Sequence, residues 1–251
     1  MRNLNKTLAI ASLFFTTITV HTKAAPVTWK AGDVILGFES ASLNKNLLID
    51  IGSGGNLASL PSINAGADLV TAFGSDWYAL SDLKWGAFGI APDKHTLWGT
   101  VASGNSPLLA KSVGVLTTPL NKFNGMGANY NADIATEGGT VGVIMNVGSG
   151  TDVGTSTWTG NNPSTTPFVA YSVSIENGVT GSLDLYSVPN SGSATAIFSA
   201  ANNNALSLSS SGFFGPLDVA AVPATLPEPS TYALFGLGAL ALVVAYRRKV
   251  A

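Results

Sequence analysis

The sequence predicts an all-β body, a mainly antiparallel sandwich that is jelly-roll-like or built of two packed sheets, with a few short helices. This body stands between an N-terminal signal helix and a C-terminal transmembrane helix. Three observations lead there. Short β-capable runs recur between clusters of Gly, Asn, Ser and Pro. No strand-helix-strand alternation repeats, which disfavours a parallel α/β sheet. Uncharged apolar stretches stand near both ends of the chain.

At the beginning, Arg2 and Lys6 precede an uncharged run over 7–20, and Thr22-Lys23-Ala24-Ala25-Pro26 follows. A positive start, an apolar middle and small residues at the end make a secretory signal peptide over 1–24, cut by signal peptidase after Ala24. The run is too short and too rich in Thr for a transmembrane helix.

The body, 25–212, offers strands at 33–38, 46–51, 83–90, 96–102, 140–147, 168–176, 182–188, 194–199 and 205–210. Side chains alternate faces along a strand, so Leu47, Ile49 and Ile51 point one way and Asp50 the other. By the same rule Leu183 and Leu185 oppose Asp184, Tyr186 and Val188. Residues 176–181 read as a hairpin loop. Helix is expected only in pieces, around 65–73 and 119–124. The stretch 148–166, mostly Gly, Ser, Thr and Asn, reads as a long exposed loop or a boundary between two sub-halves. Residues 213–226, with Pro216 and Pro223, read as a stalk.

The last segment, 227–251, opens with Pro227-Glu228-Pro229-Ser230-Thr231. Each proline lacks a backbone N–H and pushes its predecessor towards extended geometry, so the segment begins in extended chain. Ser230 then suits the N-cap of a helix over 231–246. At about 1.5 Å per residue that helix covers roughly 24 Å against a hydrocarbon core of about 30 Å, which is marginal for a permanent anchor. Arg247, Arg248 and Lys249 stop it on the cytoplasmic side, in keeping with the positive-inside rule. Export at one end and a basic stop at the other place the body outside the inner membrane.

Composition narrows the chemistry. There is no cysteine, hence no disulfide, thiolate ligand or cysteine nucleophile. Residues 25–226 hold six lysines, no arginine and 13 acids, so the whole-chain charge of −2 conceals a body near −7. After Lys122 no basic residue appears before Arg247. A nucleic-acid partner needs clustered basic charge, and this body has none.

Residues 226–249 resemble the PEP-CTERM sorting signal: Pro227, Glu228 and Pro229 match its signature tripeptide, Ser230-Thr231 its continuation, and Arg247-Arg248-Lys249 its basic end. The resemblance implies a Gram-negative envelope protein handled by exosortase, an inner-membrane enzyme with a cysteine nucleophile that recognises the tripeptide and removes the tail. It also implies association with exopolysaccharide or biofilm matrix. A plain C-terminal anchor would not need the tripeptide, and a Gram-positive sortase signal would carry Thr-Gly where Pro229-Ser230 stand. The body is similar to a recurring group of PEP-CTERM proteins in its segments 29–38, 46–52, 67–77, 83–86 and 183–186. That group implies no activity.

Candidate chemistry is sparse. His95 is the only histidine outside the signal peptide, no Gly-x-Ser-x-Gly elbow accompanies it, and Asp93-Lys94-His95-Thr96 reads as a polar turn. One histidine without cysteine does not make a zinc site. Gly148, Gly150 and Gly154 lack the spacing of a phosphate loop. Paired carboxylates for glycoside chemistry are conceivable at Asp76 and Asp82, which flank Trp77 with Trp85 nearby, although aromatic residues on strands usually fill cores. Trp158, in a polar loop, is the tryptophan expected to be exposed and to stack on a sugar. Calcium is the one cofactor considered: loop carboxylates such as Asp133 and Asp152 suit an irregular oxygen site. The expectation is therefore a non-enzymatic, exosortase-processed structural or adhesive component of the cell surface or matrix. The alternative is a secreted carbohydrate-binding module or glycoside-acting enzyme.

Overall fold

The computed structural model describes residues 26–106, 108–150, 152, 157–161 and 174–216. Eleven strands form one antiparallel sheet: β1 Asp33–Ser40, β2 Lys45–Ser53, β3 Ile63–Asn64, β4 Leu83–Ile90, β5 Thr96–Ala102, β6 Val143–Asn146, β7 Glu176–Gly178, β8 Leu183–Pro189, β9 Thr195–Phe198, β10 Leu206–Leu208 and β11 Phe213–Pro216. The spatial order is β3-β11-β10-β8-β5-β4-β1-β2-β6, with β7 against β4 and β9 against β8. Helix α1, Gly66–Phe73, and helix α2, Val113–Glu137, complete the body.

The sheet is curled. Trp85 on β4 and Phe214 on β11 are four steps apart in that order, which would place them about 19 Å apart in a flat sheet at about 4.8 Å per strand. Their rings meet edge-on with centroids 5.6 Å apart. A half-barrel results, and its inside is filled by Val34, Leu36, Phe38, Leu47, Ile49, Trp85, Leu183, Leu185 and Phe214, closed by Leu69 and Phe73 of α1. The other face buries Ile35, Leu48, Phe88, Ile90, Leu97 and Val101 beneath α2. Both faces of the central strands are thus dry, which is why β1 and β2 read as nearly continuous apolar runs. The alternation expected for 47–51 holds: Leu47, Ile49 and Ile51 line the inner core, while Leu48 packs on the α2 side.

Four expectations need correction. Helix is not confined to short pieces, since α2 runs for 25 residues, about 37 Å. Its Gly114, Pro119, Gly125 and Gly127, with several asparagines, are poor helix formers, so local propensity hides it. Burial sets it instead: Leu116, Leu120, Phe123, Met126, Tyr130 and Asp133 recur at helical spacing on the face turned to the sheet. Second, 148–166 is no boundary, because β7 and β8 pair with β4 and β5 from before it. Third, residues 176–178 are a strand on β4 rather than part of a hairpin loop. Fourth, residues 213–216 belong to the sheet as β11, so the body reaches Pro216.

The signal peptide with Ala24, the remaining stalk, the tripeptide, the helix over 231–246 and the basic stop lie outside the described residues, as does most of the strand expected at 168–176. Among the described residues no helix is long and apolar enough to cross a membrane.

Candidate functional site

The aromatic residues proposed for sugar recognition are inside the protein. Trp77 sits in a 3₁₀ turn, Trp77–Ala79, and is 3% exposed within the inner core. Trp158 is fully buried. Gly37 of β1 leaves the space for its indole, since a Cβ there would overlap the ring, and its Nε1 donates to Glu176 Oε1 at 2.5 Å. Trp158 is therefore a structural clasp, not an exposed contact residue. The other three tryptophans, Trp29, Trp85 and Trp98, are buried as well.

The acids beside Trp77 are placed differently from one another. Asp82 accepts hydrogen bonds from Ser40 Oγ and the Ser42 backbone N–H, both at 2.9 Å, and so ties β4 to the turn after β1. The Ser42 amide holds its carboxyl below the usual range. Asp76 is exposed on the turn before Trp77. No tryptophan face accompanies either acid at the surface. His95 is exposed in the β4–β5 turn, where its backbone N–H donates to Asp93 Oδ1 at 2.9 Å.

Three carboxylates do converge, at the C-terminal end of α2. Asp133 and Glu137 stand one helical turn apart, and Asp152 arrives from the segment after β6. That segment folds back on itself through Gly148 N–H to Asp152 O, 2.6 Å, and Asp152 N–H to Ser149 O, 2.9 Å. Asp152 is then oriented from both sides: Asn129 Nδ2 donates to Oδ1 at 2.9 Å and the Asn146 amide to Oδ2 at 3.0 Å. One oxygen from each of the three carboxylates lies within 4.8 Å of the others. Asp133 is 8% exposed, and its Oδ2 and Glu137 Oε2 are buried without a hydrogen-bond partner. Burial, then the charge of Asp152, pushes the Asp133 carboxyl above its usual range. Glu137 is pushed up by burial, then by Asp152 and Asp133.

The site borders a cleft of about 580 Å³ lined by Glu137, Asn146, Lys45, Thr71, Thr136 and Thr140. The cleft is shaped by Asp68 of α1, whose carboxylate accepts the backbone N–H groups of Thr140, Val141 and Gly142 at 2.5, 2.8 and 2.9 Å. Of the three converging acids, the sequence offers Asp133 and Asp152 as oxygen ligands. Glu137 escapes it because its i, i+4 relation to Asp133 exists only once α2 is known to continue past residue 124.

Comparison with known families bears on the other end of the chain. A family model described as the PEP-CTERM protein-sorting motif matches residues 225–249. The chain carries a PEP-CTERM sorting motif. The match takes in Pro227, Glu228 and Pro229 together with Arg247, Arg248 and Lys249, and the PEP-CTERM motif implies export and membrane-associated sorting by exosortase. No curated protein and no solved structure matches the chain.

Proposed function

We propose that the protein is exported, held briefly at the inner membrane by its C-terminal helix, released by exosortase, and then serves as a structural or adhesive component of the cell surface or exopolysaccharide matrix. The sorting motif at 225–249 carries this reading. The distribution of chemistry in the body supports it. All five tryptophans are buried, and the curled sheet is covered on both faces, as suits a stable scaffold.

Ten residues separate the end of β11 from Pro227. Such a length reaches at most about 36 Å when extended, enough for a membrane enzyme to engage the tripeptide while the sheet stays folded. In this reading Pro227, Glu228 and Pro229 are recognised, the helix over 231–246 presents them at the membrane, and Arg247, Arg248 and Lys249 prevent the tail from slipping through. The test is a Pro227→Ala, Glu228→Ala double variant in the host. Its tail stays uncleaved and the protein remains in the membrane fraction; normal trimming and release would contradict the reading.

A further inference from the structure

We propose that Asp133, Glu137 and Asp152 bind one calcium ion, which clamps the C-terminal end of α2 to the segment following β6. The proposal rests on the geometry of the body and is independent of the sorting reading.

Three observations carry it. The inward stripe of α2 is apolar from Leu116 to Met126, continues at Tyr130, and ends in a carboxylate at Asp133. More than nine-tenths of that side chain is buried, and its Oδ2 finds no hydrogen-bond donor. A buried carboxylate without partner is strongly disfavoured unless a cation or proton compensates it. Second, Glu137, one turn further on, joins the cluster and also has a buried oxygen, Oε2, without a hydrogen-bond partner. Three acids side by side repel, so this packing position needs a compensating cation or shared proton, and the all-oxygen donor set with a cleft beside it favours the cation. Third, Asp152 is held in place by Asn129 and by the Asn146 amide, so the two halves of the site are preorganised from separate parts of the chain.

The donors choose the ion. All are carboxylate oxygens, with no His in the group and no Cys in the chain, which favours a hard cation over zinc or copper. Calcium takes ligands at about 2.4 Å, so oxygens around one ion lie up to about 4.8 Å apart. The three oxygens observed here fall within 4.8 Å of one another, within the span that one such ion bridges. Calcium tolerates irregular sites and completes its shell with water, which the adjoining cleft supplies, whereas magnesium demands near-octahedral geometry.

The test uses the full chain, freed of metal with EDTA and titrated with calcium chloride. Equilibrium dialysis against radioactive calcium is expected to give one ion per chain, and thermal melting to rise by roughly 5–10 °C at a hundredfold excess over Kd. The Asp133→Asn, Glu137→Gln double variant is expected to lose the response to calcium yet to melt in EDTA no lower than the wild type, because the repulsion is gone. A wild-type chain that holds no calcium up to about 10 mM, roughly tenfold beyond the weak end of extracellular calcium sites, overturns the proposal whether or not the variant folds. So does a variant that responds as the wild type does, and an equal response to magnesium overturns the choice of ion.

Discussion

Asp50 is the residue at which the fold most visibly works against itself. It sits on β2, 6% exposed, with Oδ1 accepting the Gly52 amide at 2.8 Å and Oδ2 buried without partner. Burial, reinforced by Asp33, raises its pKa from 3.8 to about 7. Below the lower value both the folded and unfolded chains carry the proton. Between the two values only the folded chain keeps it, so stability falls as pH rises through that window, and above about 7 the full penalty is present. Asp50→Asn is therefore expected to raise the melting temperature at pH 8, by at least about 1 kcal/mol of stability, and to change little at pH 4. Thermal melts at the two pH values check this, and a variant less stable at pH 8 would contradict it. Trp158 marks the limit of reading single residues from sequence. A lone tryptophan among Gly, Ser and Thr looks exposed, and only the slot left by Gly37, more than a hundred residues earlier, shows why it is buried.

At the scale of elements, two junctions hold the sheet together. β4 pairs with β5 over Phe88–Ile90 but with β7 over Lys84–Gly86, so the β4–β5 hairpin forks and β7 enters the fork. Thr100 of β5 fills the crotch: its buried Oγ1 accepts the Ala87 amide at 2.8 Å and donates to Ile175 O at 2.6 Å. Thr100→Val keeps the shape and removes both bonds. It is expected to cost about 2–3 kcal/mol in urea unfolding, with Thr100→Ser close to wild type; a neutral valine variant would remove Thr100 from this role. The second junction is Asp68 against the 140–142 amides. Asp68→Ala lacks acceptors for all three, so amide exchange at Thr140, Val141 and Gly142 is expected to quicken at least tenfold, about 1.4 kcal/mol of lost protection; unchanged exchange would contradict the anchoring. The elements themselves were unequally visible. β4 and β5 match the expected bounds of 83–90 and 96–102, because short β-capable runs between flanking turn residues mark them locally. α2 is held by the sheet it covers, and its own residues favour other conformations, so the sequence hides both the helix and the place of Glu137 in the carboxylate cluster.

At the scale of the whole molecule, two parts are joined that answer to different physics. The body is a curled sheet whose stability comes from burial on both faces. The tail is a PEP-CTERM sorting motif, which implies processing by exosortase. The tail is legible from sequence because its motif is linear; of the three converging carboxylates Asp133 and Asp152 are legible as candidates, and Glu137 is not, because only α2 brings it beside them. In the proposed function that tail is a substrate. Mass spectrometry of the mature protein isolated from its host tests this most directly, since it reads both ends at once. The expected chain begins at Ala25 and ends near Pro227, Glu228 and Pro229, without residues 231–251. A mature chain that still carries Arg247, Arg248 and Lys249 would contradict the account.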